Sequence, residues 1–403
     1  MLRFALRNLF RQGLRTSLTL AAIAFGVAAL IVSGGFFRDL LIQLGEATIH
    51  SQTGHLQVAK RGYFTSGAAA PERYRFPDQQ HARAIMLAQP GVRDVLARVR
   101  FSGLISNGRA DWPIIGEGIE PDKETRLGTY LQIVAGRALD DRSRFGVMVG
   151  EGVADALKLR PGDHVTLLAN TDQGALNSVD LDVLGVFRTY SRDYDARAVR
   201  ISFEAAKDLL GTDATSVLVA SLDRTEDTDS VATALRSRFA GRPIEVKTWV
   251  ELNDFYEKTV DLYRQQFGIL QAIMLVMVLL GVANSVNMSM FERVGEFGTM
   301  RALGNRSRHV FGQIVVEGAV LGAIGAALGA GIGIGVALAL SAIGIPMPPP
   351  PNANLGYVAT IRVVPRIVGE ACLAGFAAAV IASLVPARRL SRMPVVEALR
   401  ANV

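Results

Sequence analysis

Cysteine is almost absent: Cys372 is the single one in 403 residues. A lone thiol excludes an internal disulfide and a cysteine metal cluster, and its place beside Ala371 and Leu373 suits a small packing residue. The five histidines are scattered, and neither H-x-x-x-H nor H-E-x-x-H occurs. The spacing that metal catalysis uses is therefore missing. No G-x-x-x-x-G-K-[ST] is present, so a P-loop for nucleotide hydrolysis is not expected here. No G-x-S-x-G elbow or Ser-His-Asp context stands out either, and no enzyme site is expected. Acid is absent from the first 17 residues, which hold Arg3, Arg7, Arg11 and Arg15.

What the chain has instead is long apolar runs. Mean hydropathy is +0.27, half the residues are apolar, and 20% are still charged. That mixture predicts a protein divided between lipid and water. The net charge of +6 lies where it flanks apolar runs, which fits a membrane and not nucleic acid. The four early arginines fall on one helical stripe, predicting a basic amphipathic helix over 1–17. Residues 18–37, LTLAAIAFGVAALIVSGGFF, contain no charge, and about 20 such residues cross a bilayer core. No convincing small-residue cleavage site follows, so a retained anchor is expected. Further spans are predicted at 267–290, 314–345 and 367–387. The third run, about 48 Å long if wholly helical, must tilt or extend beyond the lipid.

Orientation follows from the arginines of the short connections. The N-terminus, the 291–313 loop (Arg293, Arg301, Arg306, Arg308) and the 388–403 tail (Arg388, Arg389, Arg392, Arg400) are the richer segments. They are expected in the cytoplasm, with the proline-dominated 346–366 loop on the other side. Residues 38–266 then form a large extracytoplasmic domain of α+β class. HLQVA, a helix over 78–91, VLARVRFSGLI, DWPIIGEGI, SVLVASL, a helix over 229–241 and IEVKTW give a ferredoxin-like βαββαβ pattern. Strand-like runs between about 136 and 212 predict an inserted small β subdomain. The stretches 38–49 and 252–267 are helix-compatible and lead into the first two spans. They form either stalks or separate surface helices.

Between the second and third spans lies FERVGEFGTMRALG, residues 291–304. Arg293, Glu296 and Met300 share a face at helical spacing, Phe297 and Arg301 lie beside it, and Gly304-Asn305 supplies a stop. Composition alone leaves two readings open, a docking element for a cytoplasmic partner and a plain connector. The segment resembles the E-R-x-x-E-[IF]-G-x-x-[KR]-A-[LIM]-G motif of the FtsX/MacB-like ABC transporter permeases. The tail PARRLSRMPVVEALR and the opening RFALRNLFRQGLRTSLTLAAIAFGVA are similar to that family's two ends. The resemblance implies that Glu292, Arg293, Glu296, Phe297, Met300, Arg301, Leu303 and Gly304 couple the chain to a separate ATPase. Phe297 stands where the family usually has Ile. ATP and Mg would then be bound by the partner, with no cofactor in this chain. A second copy or a paralogue, a periplasmic adaptor or lipoprotein, and lipid are the remaining expected partners, in a bacterial inner membrane. TGHLQVAKRGYF is similar to the start of the periplasmic domain in lipoprotein-releasing members. The alternative is a non-transporting transmitter that regulates a periplasmic cell-wall hydrolase or sensor.

Three further features have plainer readings. GAVLGAIGAALGAGIGIGV, 318–336, lacks the strand and acidic residue of a nucleotide site; Gly325, Gly329, Gly331 and Gly335 predict close helix packing instead. Glu317 and Glu370, near span ends, are either functional or structural anchors. PMPPPP, 346–351, reads as a semi-rigid spacer.

Overall fold

A computed structural model describes residues 13–67, 71–76, 78–128, 130–349, 354 and 356–400. Most of the basic helix expected over 1–17 lies outside the described residues. In chain order, α1 (Gly13–Thr48) leads to β1 (Leu56–Lys60), α2 (Gln79–Leu87), β2 (Val92–Ser106), β3 (Asp111–Ile119) and α3 (Pro121–Leu127). Then come β4 (Gln132–Gly136), β5 (Gly146–Gly150), α4 (Glu151–Leu157), β6 (His164–Asn170), β7 (Leu176–Arg188), β8 (Ala198–Ser202) and α5 (Phe203–Leu210). Next are β9 (Val217–Leu222), α6 (Thr228–Arg238), β10 (Ile244–Thr248), α7 (Asp254–Glu292) and α8 (Val294–Ala302). The chain closes with α9 (Ser307–Ile343), α10 (Pro365–Arg392) and α11 (Val395–Arg400).

Contacts divide the chain into two compact units, one of Met1–Ile42, Val260–Pro346 and Val358–Val403, the other of Gln43–Thr259 and Met347–Tyr357. Among the described residues, four helices are long and apolar enough to cross a membrane, and they fall on α1, α7, α9 and α10. Neither α1 nor α7 stops at the end of its apolar run: α1 is unbroken through Thr48 and α7 begins at Asp254.

Small residues let these helices approach closely. A Cβ added at Gly318 would lie 2.7 Å from Ser383, and at Gly322 2.9 Å from Ala379, which brings α9 onto α10. At Gly325 it would meet Ile23 at 2.8 Å, and at Gly329 the Ala24 carbonyl at 2.7 Å, which brings α9 onto α1. Gly331 and Gly335 differ, because nothing lies within 4 Å of the added atom. Six residues on from Gly325 and Gly329, at about 100° per residue, they point well away from the packed stripe. Asp39 is buried in this unit, where it accepts from Arg362 Nε at 2.8 Å and Thr360 Oγ1 at 2.6 Å.

The second unit is built on one ten-stranded sheet in the order β10-β1-β9-β2-β3-β8-β5-β7-β4, with β6 bridging β2 and β7. Its first four strands pair antiparallel throughout. With α2 and α6 as the crossovers, that is the split βαβ topology of a ferredoxin-like lobe. The helices cover one sheet face with Ala82, Met86, Val231, Ala232 and Leu235 on Leu56, Val58, Val95, Ala97, Leu218 and Ala220. Asp78 caps α2 by accepting from His81 N, and Gly91, at φ +88°, takes the left-handed turn into β2. Everything from β3 to β8 is inserted between β2 and β9, a longer excursion than 136–212. It extends the sheet through a parallel β3·β8 pair and carries its own apolar core of Val147, Val149, Val153, Leu167, Val183, Val199 and Ile201.

Candidate functional site

The segment after α7 turns at Arg293 and resumes as α8. Nine helical residues are too few to be stable alone in water, so packing must hold them. Val294 and Phe297 supply it: Phe297 is 2% exposed and joins Val310, Ile314, Ala387, Leu390 and Ala398 in one apolar cluster. Met300 packs at the edge of the same cluster. The helix ends where Gly304 adopts φ +95° and Asn305 N donates to Met300 O at 3.1 Å.

Two arginines fasten the element. The Arg293 guanidinium lies 5.1 Å from the Phe297 ring centroid, within cation–π reach. It donates to Glu296 Oε2 and to Glu317 Oε2, each at 3.0 Å. Glu317 is 6% exposed. Arg301 Nη1 donates to the Met393 carbonyl, and α8 packs on α11. Glu370, by contrast, pairs with Arg366 at 2.8 Å on the surface.

The eight residues singled out in the sequence therefore divide. Arg293, Phe297, Met300 and Arg301 face the body of their own unit, whereas Glu292, Glu296, Leu303 and Gly304 are exposed, with Leu303 at 82%. Phe297 is not offered to a partner; its ring is a peg that seats the helix. What the open face presents is two carboxylates and one large apolar side chain.

A buried ionic cluster in the second unit escaped the sequence reading. Arg98 is bidentate on Glu124, and Arg100 Nε donates to Glu117 Oε1 at 2.9 Å. Arg200 lies 3.5 Å from Glu117 and donates to the Ser51 carbonyl at 3.1 Å. Tyr194 Oη donates to Glu117 Oε2 at 2.8 Å. Burial alone would raise the Glu117 carboxyl, but Arg100, Arg98 and Arg200 outweigh it and hold it at about 2. Burial likewise pushes the Tyr194 phenol up. The signal was present in RVR, residues 98–100, where two arginines follow the apolar run 95–97 within β2. A solvated sheet face reads the same way.

Two family models match the chain. Residues 268–395 match the family model of the FtsX-like permease C-terminal region, and 16–238 match the MacB-like periplasmic core domain. The chain belongs to the FtsX/MacB-like family of ABC transporter permeases, and that membership implies a cytoplasmic ATPase partner. It is 24% identical over 341 residues to the lipoprotein-releasing system transmembrane protein LolC of Xylella fastidiosa, covering 80% of this chain and 78% of that one. Against the uncharacterized ABC transporter permease YvrN of Bacillus subtilis, identity is 25% over 359 residues, covering 81% and 84%. The macrolide export ATP-binding/permease protein MacB of Nitrobacter winogradskyi is 25% identical over 349 residues, 81% of this chain but 50% of that protein. The periplasmic region of MacB from Actinobacillus actinomycetemcomitans aligns over 53% of this chain and 95% of that one, with 14% identity and a TM-score of 0.37.

Proposed function

We propose that this chain is the membrane subunit of a transporter that works by mechanotransmission. A separate ATPase, holding the ATP and Mg, grips the 292–304 element in the cytoplasm. The stroke then travels along α1 and α7 to the periplasmic domain of a dimer, formed with a second copy or a paralogue. In this reading the chain spans a bacterial inner membrane with both ends on the cytoplasmic side, and a periplasmic adaptor or cargo meets the other side.

The observation that carries the reading is the division of α8. One face is locked into its own unit through Phe297 and Arg293, so a push on the exposed Glu296 and Leu303 is passed on and not absorbed. For substrate we favour a lipoprotein or another amphiphile taken from the outer leaflet. The support is the TGHLQVAKRGYF stretch and the likeness to a lipoprotein-releasing relative.

Reconstitution with the partner ATPase in liposomes tests it. Leu303→Asp and Glu296→Gln should uncouple ATP hydrolysis from cargo release while the complex unfolds at an unchanged temperature, because both side chains are exposed and the glutamine oxygen can still accept from Arg293. Unaltered partner binding and release in the double variant would overturn the coupling role. A coupled complex that releases no lipidated cargo would overturn the substrate class alone.

A further inference from the structure

Within the first unit, a cavity of about 490 Å³ opens between α1, α7 and α10. Packing around it holds it open. Phe37 stacks on Phe267 with ring centroids 4.5 Å apart, and deeper in the spans Gly26 leaves no room for a Cβ beside Val278, so α1 and α7 are pinned at two levels. Gly34 lies against Ile367, 2.8 Å from the Cβ it lacks, which closes the back with α10. The cavity is thus pre-formed, as small-molecule sites usually are. Its lining changes along the helices: Leu30, Leu275 and Ala374 make the deep end apolar, whereas Arg38, Arg264 and Glu370 stand at the other. Charge there does not cancel. Arg264 is held 3.1 Å from Asp261 and Glu370 2.8 Å from Arg366, while Arg38 is exposed and has no ion-pair partner among the described residues. Its neighbour Asp39 is engaged with Arg362 and Thr360 instead. One uncompensated guanidinium remains, a group that grips a phosphate through paired N–H donors.

Gln271 supplies the second observation. It is the one polar side chain between Gly268 and Asn284, in the middle of an apolar run. It lines the cavity, is exposed, and has no hydrogen-bond partner among the described residues. An amide left unmatched at membrane depth is costly, and a ligand carbonyl would satisfy it. Its Nε2 lies over Gly34, 4.0 Å from where a Cβ would stand. Gly34 is one helical turn below Arg38, about 6 Å along the axis. The headgroup layer on each side of a bilayer is about 5–7 Å thick. With Arg38 at the phosphate level, the amide therefore meets the ester carbonyls of the same lipid.

We propose that this cavity holds one resident phospholipid of single negative charge, a phosphatidylglycerol. Its phosphate sits on Arg38, an ester carbonyl accepts from Gln271, and an acyl chain lies over Leu30, Leu275 and Ala374. The lipid is a fixed companion and not the cargo, so the site stands apart from the coupling and cargo readings, and the failure of either leaves the other intact. Native mass spectrometry of the full-length protein in detergent micelles tests it, with dioleoyl phosphatidylglycerol, phosphatidylethanolamine and phosphatidylcholine titrated in parallel. One saturable lipid per chain is expected, with phosphatidylglycerol held about ten-fold more tightly than the other two, the worth of a charge-assisted contact. Arg38→Gln, at an exposed position with no partner to strand, should erase that preference. Gln271→Leu should weaken all three lipids about five-fold and keep their order, the worth of one neutral hydrogen bond. Ala272→Trp, exposed and lining the cavity, should exclude all three. Arg308→Gln removes an exposed arginine at the other end of the spans and should change nothing. No saturable lipid on the unmodified protein overturns the proposal, as does an equal hold on all three lipids, or binding unchanged by Arg38→Gln or Ala272→Trp. Loss of the preference in Arg308→Gln overturns it too, since overall positive charge would then account for it.

Discussion

Arg293 Nη1 lies 3.0 Å from Glu317 Oε2, tying the turn that opens α8 to the buried face of α9. The two residues are 24 positions apart, and both are largely withdrawn from solvent. Removing one partner of such a pair strands the other charge, which is worse than never having built the pair. Glu317→Ala should therefore destabilise the helical unit by about 3 kcal/mol, read as a lowered unfolding temperature in detergent. Adding Arg293→Ala should recover part of that loss in a double-mutant cycle. Strictly additive losses would mean that the two side chains do not act as a pair.

Phe297 and Leu303 sit on the same short element, yet they should fail in different ways. Phe297→Ala empties a position that is 2% exposed and should cost about 3–5 kcal/mol. Its effect on ATPase coupling would follow from the lost helix. Leu303→Ala removes a side chain that is 82% exposed and should leave the unfolding temperature unchanged. Coupling to the ATPase should fall all the same. Equal thermal losses from both substitutions would contradict the placement of these residues.

The glycines of α9 give a sharper contrast. A branched side chain at Gly329 would collide with the Ala24 carbonyl and with Val27, both 2.7 Å from the first added carbon. Backbone cannot step aside cheaply, so Gly329→Val should cost about 1–3 kcal/mol or part α9 from α1. At Gly331 an added Cβ meets nothing within 4 Å among the described residues, so Gly331→Val should leave the isolated subunit's melting temperature unmoved. A shift that appears only in the assembled transporter would place Gly331 at a subunit contact.

Apolar length made the membrane-type helices legible, since long uncharged runs such as 18–37 suit little else. Spacing also marked 38–49 and 252–267 as helix-compatible but left open whether they continue the spans or lie apart from them; α1 and α7 run unbroken through 38–48 and 254–267, so the continuous reading is the one found. In the sheet, local signals found β1, β2, β9 and β10. The parallel β3·β8 register, such as Ile115 with Ala198, joins residues about eighty apart and leaves no trace in local periodicity. The segment 291–304 shows the same limit. Its helix could be read from spacing, but which stripe faces inward depends on α11, a hundred residues away. Hence Phe297 looked available and is not.

The buried cluster around Glu117 ties stability to acidity in one direction. In the folded chain Arg100, Arg98 and Arg200 overcome the effect of burial and hold this carboxyl at about 2, against an ordinary value of 4.5. A depressed carboxylate stabilises the fold fully above the unfolded value, and loses that contribution as pH falls from about 4.5 through 2. The shift is worth on the order of 3 kcal/mol. Glu117→Gln should therefore be markedly less stable than the unmodified chain at pH 7, because Arg100 and Arg200 lose their counter-charge. The gap should narrow on acidification and nearly close by pH 2, since protonated Glu117 is then as neutral as the amide. Denaturant titrations of both proteins at pH 7, 4 and 2.5 measure it. A gap constant across that window would mean that Glu117 is not ionised in the folded protein, and the cluster would then hold three guanidinium groups against a single carboxylate.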